Sequence, residues 1–155
     1  MGKYIGFVSF RISGTDGVSL ETKKWAEVFE RHDYTAYYFA GELDTPPEVS
    51  YICEEAHFKH PEMIKLYNMS FDRELRPREL TEGIHEYRKK LKDELYDFIQ
   101  EHRIDLLIPQ NTLTIPLNIP LALALTDLIA ETGIPTIAHH HDFFWERKRF
   151  LTNCV

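Results

Sequence analysis

A chain of 155 residues with 43% apolar and 13% aromatic residues fits one ordinary domain and is long enough to bury a core, which argues against disorder. Its formal net charge of -7 argues against a general binder of nucleic acid or anionic membrane, since both need a net positive field. The two cysteines, Cys53 and Cys154, lie far apart without metal-type spacing and read as unpaired thiols of a reducing compartment, so a cytoplasmic location is expected.

The opening MGKYIGFVSF carries one lysine and an apolar run too brief for a signal peptide or membrane span. Gly6 stands where a myristoylation motif after Met-Gly requires serine or threonine. Tyr4–Phe10, rich in β-branched and aromatic residues, predicts a first buried strand. Arg11–Ser19 places Gly14, Asp16 and Gly17 in a short loop that can approach a ligand closely. Ser19 then caps a helix through about Arg31, with Leu20, Trp25, Val28 and Phe29 near helical spacing. His32-Asp33 turn the chain into a second strand, Tyr34–Ala40. Strand, glycine loop, helix and strand make the first half of a doubly wound parallel sheet.

Gly41–Pro47 reads as a loop and Val49–Cys53 as a third, shorter strand. His57–Arg78 is an irregular crossover with one helix starting at Pro61, and Pro77 interrupts the chain near its end. Thr81 caps a long amphipathic helix through about Glu101, where Ile84, Tyr87, Leu91, Leu95, Phe98 and Ile99 recur at intervals of three and four. Ile104–Pro109 predicts a buried strand with Gln110, Asn111 and Thr112 at its carboxyl end. Pro116 and Pro120 flank the start of an apolar helix, Leu121–Glu131, closed by Gly133. Ile134–Ala138 is the last strand, and His139–Asp142 sits at its carboxyl end. The pattern predicts an α/β fold, a Rossmann-like three-layer sandwich with a mainly parallel sheet.

In such sheets ligands bind outside the carboxyl ends of the strands, where helix amino termini point free N–H groups. Three stretches are therefore expected to cluster: Arg11–Ser19, Gln110–Thr114 and His139–Arg147. The glycine loop matches neither the dinucleotide nor the P-loop fingerprint, and reads equally as a structural turn or a ligand contact. His139 and His141 should share one side of the extended chain and His140 the other, leaving too few ligands for a closed zinc site. Polar ligand contact or acid–base work suits them better, and hydrogen bonding at the strand end is the bland reading. Asn111 reads at even odds as a turn residue. Phe143–Trp145 read as core or as an apolar surface awaiting a partner, and Glu146–Arg149 as a solvated helix face.

Taken together, SFRISGTDGVSLETKKWAEVF and PTIAHHHDFFWERKRF resemble the amino-terminal domain of family-four retaining glycosyltransferases, whose two facing Rossmann-like domains form the GT-B fold. The resemblance implies an acceptor-binding half that works with a nucleotide-sugar as co-substrate and no essential metal. It places the ligand loop at Gly14, Thr15, Asp16 and Gly17, and the catalytic histidine at His141 or His140. It also turns Asn111 and Asp142 toward the cleft. The family's donor-binding carboxyl-terminal domain lies beyond LTNCV, so these residues are expected to be one domain of an enzyme, inactive alone. The apolar face that the missing domain would cover is expected to promote self-association. The residues alone support a stand-alone Rossmann-like module for a small phosphorylated or sugar ligand almost as well. A flavodoxin-like or nicotinamide-binding protein is weakened by the failed glycine fingerprints.

Overall fold

Four strands, β1 (Tyr4–Val8), β2 (Thr35–Ala40), β3 (Ser50–Ile52) and β4 (Leu106–Pro109), form one sheet in the order β3-β2-β1-β4, every pairing parallel. The computed structural model describes residues 3–155; Met1 and Gly2, with the lipidation reading attached to them, lie outside the described residues. Side chains alternate across a strand, and the two faces of β1 accordingly enter different cores. Ile5 and Phe7 pack toward Trp25, Ala26 and Phe29 of α1 (Gly17–Glu30). Val8 packs with Leu91, Leu95 and Phe98 of α3 (Arg78–Glu101) and Leu121, Leu125 and Leu128 of α4 (Ile119–Thr132). Helices thus cover both faces, giving the expected three layers. A shorter helix, α2 (Pro61–Ser70), packs on α3 through Met63, Leu66, Leu80 and Ile84.

Several boundaries differ from the sequence reading for local reasons. β1 stops at Val8 rather than Phe10, and β4 begins at Leu106 rather than Ile104. The cap of α1 is Asp16, not Ser19: the Asp16 carboxylate accepts the Ser19 N–H at 3.0 Å and the Ser19 hydroxyl at 2.6 Å. Gly17 is therefore the first helical residue. Helix α3 starts directly after Pro77, and Thr81 instead accepts a hydrogen bond from Arg76 Nε at 2.8 Å. Gly133 closes α4 in the left-handed conformation, φ 65°, as expected.

The expected last strand, Ile134–Ala138, joins the sheet only by isolated parallel bridges, Leu107 to Thr136 and Gln110 to His139. Leu107 exchanges bonds with Pro135 O and the Ile137 N–H, each 2.9 Å, and His139 N–H reaches Pro109 O at 2.9 Å. The break falls at Pro109, which has no N–H to offer Ile137 O. Beyond it Glu146–Arg149 are solvent-exposed as expected, but in short turns rather than a regular helix. The tail makes two 3-10 turns, Phe144–Glu146 and Lys148–Phe150, and doubles back onto the end of α2. Phe150 is fully buried with Phe71 and Ile115, and Asp72 N–H to Thr152 O (2.9 Å) and Cys154 N–H to Ser70 O (3.0 Å) fasten the return. Among the described residues no helix is long and apolar enough to cross a membrane.

Helix α4 begins two residues before the expected Leu121 because Asn118 caps it. The buried Asn118 side chain accepts the Leu121 N–H at 3.1 Å and donates to Glu55 O (2.8 Å) and Ala56 O (3.1 Å), tying α4 to the turn after β3. Asn118→Ala leaves all three groups short of a partner and is expected to cost about 2 kcal/mol. Urea denaturation measures this; a change under about 0.5 kcal/mol would show that the junction tolerates loss of the amide.

Candidate functional site

Strand order reverses between β1 and β4, so the loops leaving these strands part and open a crevice. The Ser9 hydroxyl spans the two exits by donating to Gln110 O at 3.3 Å. A cavity of about 220 Å³ lies there, with Ser9, Arg11, Asp16 and Asn111 as its polar wall and Phe10 and Phe58 on the apolar side.

The β1 exit is held by carboxylates. Gly14 adopts φ 74° and donates its N–H to Asp44 Oδ2 at 2.8 Å, while Lys23 pairs with Asp44 at 3.2 Å. Arg11 bridges Glu42 (2.9 Å) and Asp16 (3.1 Å). Asp44 is held below its ordinary pKa by the Gly14 N–H and Lys23. Burial pushes Asp16 up, but hydrogen bonds from Ser19 and the charge of Arg11 outweigh it and leave its carboxyl lowered. Thr15 is exposed in this turn, and Gly17 opens α1.

At the β4 exit Asn111 takes φ 64°, a conformation asparagine tolerates better than most residues. Its amide oxygen accepts the N–H groups of His141 (3.2 Å) and Asp142 (3.4 Å) and the Thr114 hydroxyl (3.2 Å), and its Nδ2 donates to Asp142 Oδ1 at 3.0 Å. Asn111 is thus both a cavity wall and the clamp that holds the histidine run. Arg147 Nε donates to Asp142 Oδ2 at 2.9 Å. Burial raises Asp142, and the bonds from Arg147 and Asn111 more than offset this, so its carboxyl lies below the usual range.

The histidines divide as the alternation predicts. His139 stacks on Trp25 of α1 with ring centres 4.2 Å apart and meets His141 at 4.4 Å, whereas His140 lies by Phe143 at 5.8 Å. The fully buried Gln110 places Oε1 2.9 Å from His141 Nε2. With the amide oxygen toward the ring, Nε2 carries the hydrogen and Nδ1 keeps a lone pair. His141 is not part of the cavity wall; it reaches that wall through Asn111. Among the described residues three buried side-chain polar atoms lack a protein partner: Gln110 Nε2, Thr112 Oγ1 and His139 Nδ1. All three lie at the β4 exit or the run beside it, and such unpaired groups gather where a fold is shaped by function rather than stability.

Trp25 is the member that the sequence does not single out, reading only as one of the apolar residues of α1. Gln110 lies in the expected Gln110–Thr114 cluster, but its contact with His141 has no local signature. Phe144 and Trp145 remain exposed, Trp145 stacked on Phe143 at 4.5 Å. Among the described residues no group of three or more histidine, cysteine, aspartate or glutamate side chains is placed to hold a metal ion.

His139 also gives the site a pH signature. Burial, and then the neighbouring His141, lower its pKa below the ordinary 6.5. The unfolded chain therefore binds more protons than the native one just below pH 6.5, so stability is fully present above that value and falls on acidification through the window beneath it. We expect the urea midpoint to drop between about pH 7.5 and 5.5, and less so in His139→Gln. Equal drops in both proteins would assign the effect elsewhere.

Two curated proteins are similar to nearly all of the chain, and both are named mannosylglucosylglycerate synthase. The one from Petrotoga mobilis is 30% identical over 145 residues, which cover 92% of the chain and 33% of that protein. The one from Thermotoga maritima is 29% identical over 149 residues, 95% of the chain and 33% of that protein. No family model matches the chain, and no solved structure matches it. The chain spans about a third of the length of the curated relatives it matches.

Proposed function

We propose that the chain is the acceptor-side domain of a family-four, GT-B-type retaining glycosyltransferase that moves a sugar from a nucleotide-sugar to an acceptor containing a glycerate group. The observation that carries this reading is the similarity of almost the whole chain to two synthases whose named product joins mannosyl, glucosyl and glycerate units. The crevice between the β1 and β4 exits supports it, because ligands of doubly wound sheets bind at that reversal. In this reading His141, oriented by Gln110, accepts a hydrogen bond from the sugar through Nδ1, and Asp16 and Asn111 face the acceptor or donor in the cavity.

Departure of a nucleoside diphosphate needs positioned cations or dipoles. The cations beside the glycine loop are already engaged, Arg11 by Asp16 and Glu42 and Lys23 by Asp44. Charge stabilisation must then come from a donor-binding half, for which the greater length of the relatives leaves room. The exposed Phe144 and Trp145 suit the surface that such a half would cover, and would drive self-association without it.

The test offers nucleotide-linked mannose or glucose with glucosylglycerate, and reads product by mass spectrometry. Transfer is expected from a protein uniting this domain with a donor-binding domain, and none from residues 1–155 alone. Robust transfer by the 155 residues alone, or none by the two-domain protein, overturns the reading.

A further inference from the structure

Between the end of α2 and the returning tail lies a groove of about 500 Å³ that carries Arg73, Lys148 and Arg149 against a single carboxylate, Asp72. None of these three cations makes an ion pair among the described residues, in contrast to Arg11, Lys23 and Arg147 at the crevice. In a chain of formal charge -7, three uncommitted cations in one groove form a local field opposite to that of the whole molecule.

The groove is a built seam rather than a chance meeting of surface residues. Asp72, at φ 58°, donates its N–H to Thr152 O, and Phe71 bridges to Asn153 in antiparallel fashion. Arg149 has its guanidinium carbon 4.7 Å from the centre of the buried Phe150 ring, which limits the freedom of one cation before any ligand arrives. Phe71 also walls a neighbouring apolar cavity of about 300 Å³ that extends to Thr112 and Thr114. Thr112 and Thr114 follow Asn111, the residue that clamps His141, in the chain. The apolar cavity thus shares Phe71 with the cation groove and ends on the segment that leaves the β4 exit.

We propose that this groove holds the carboxylate of the acceptor's glycerate group, an inference that rests on the acceptor reading above. The donor diphosphate is the poorer occupant, because no residue of the Arg11–Ser19 loop or of α1 lines the groove. A carboxylate at the far end of a glycosylated acid can meet Arg73 and Lys148 while its sugar lies over the apolar floor. Charge-assisted bonds of this kind also discriminate against a neutral analogue of the same shape.

The test compares glucosylglycerate with glucosylglycerol, in which a hydroxymethyl group replaces the carboxylate, by calorimetric titration of the 155-residue chain. The acid is expected to bind roughly tenfold more tightly. In the Arg73→Gln, Lys148→Gln, Arg149→Gln triple variant this advantage disappears, while affinity for glucosylglycerol is unchanged, which also shows that the variant is folded. Equal binding of the two compounds by the unaltered chain, or an advantage that survives in the variant, overturns the groove and leaves the acceptor reading standing. Binding of neither compound overturns both.

Discussion

Under the proposed function, His141→Ala in a protein uniting this domain with a donor-binding domain is expected to lower kcat by about a hundredfold. Gln110, a buried residue, places its amide oxygen 2.9 Å from His141 Nε2, and in that orientation Nε2 bears the hydrogen. Nδ1 is then the one available acceptor on that ring. Gln110→Leu releases the ring without touching substrate, so its loss should be smaller, about tenfold. In the double variant the two losses should not add, because Gln110 acts through His141. Gln110→Glu offers a second readout: a carboxylate toward Nε2 favours the charged ring and should shift the pH–rate profile upward. Additive losses, or an unshifted profile in Gln110→Glu, would reduce Gln110 to an ordinary packing residue. A kcat within about threefold of the unaltered enzyme for His141→Ala would remove His141 from the chemistry and return attention to His140.

Phe150→Ala is expected to cost about 3–5 kcal/mol of stability, the range for emptying a fully buried aromatic site. Phe150 meets Phe71 at 5.4 Å and Tyr67 at 6.3 Å between ring centres, and it shares its cluster with Ile115. The effect should be accompanied by release of the last residues, since Thr152 and Cys154 are held only as far as the tail stays folded back on Asp72 and Ser70. Hydrogen exchange at Asp72 and Cys154 amides should quicken before global unfolding. A loss under about 1 kcal/mol, with those amides still protected, would show that the tail docks independently of this ring.

The fold was legible wherever the signal was periodic. Ile84, Leu91, Leu95 and Phe98 mark one buried face of α3, and the apolar run of β1 foretold a strand buried on both sides. Cap choice was not legible, because Asp16 and Ser19 are both good caps three residues apart, and Ser19 serves as the donor to Asp16 rather than as the cap. The end of the sheet was not legible for a different reason: Pro109 suits the end of β4, but its missing N–H acts on the neighbour, Ile137, distant in sequence. The site residues were legible as types at strand ends. Their partners were not, since Gln110 and Asn111 meet His141 and Asp142 across about thirty positions of chain. The return of the tail left no local trace at all, for Phe150 sits in a stretch of charged residues that reads as solvent-facing.

The Gly14 amide limits how the first loop could meet a phosphate, because it is already bonded to Asp44. That loop is not an empty cradle, because Asp44 already occupies the donor an incoming anion would seek and neutralises Lys23 as it does so. An anion docking there would have to exchange with a resident one, evicting the Asp44 carboxylate and inheriting its lysine. Its affinity would then be set by the difference between two anions. Asp44→Asn, which weakens the resident without emptying the space, is the substitution that shifts that balance toward the visitor.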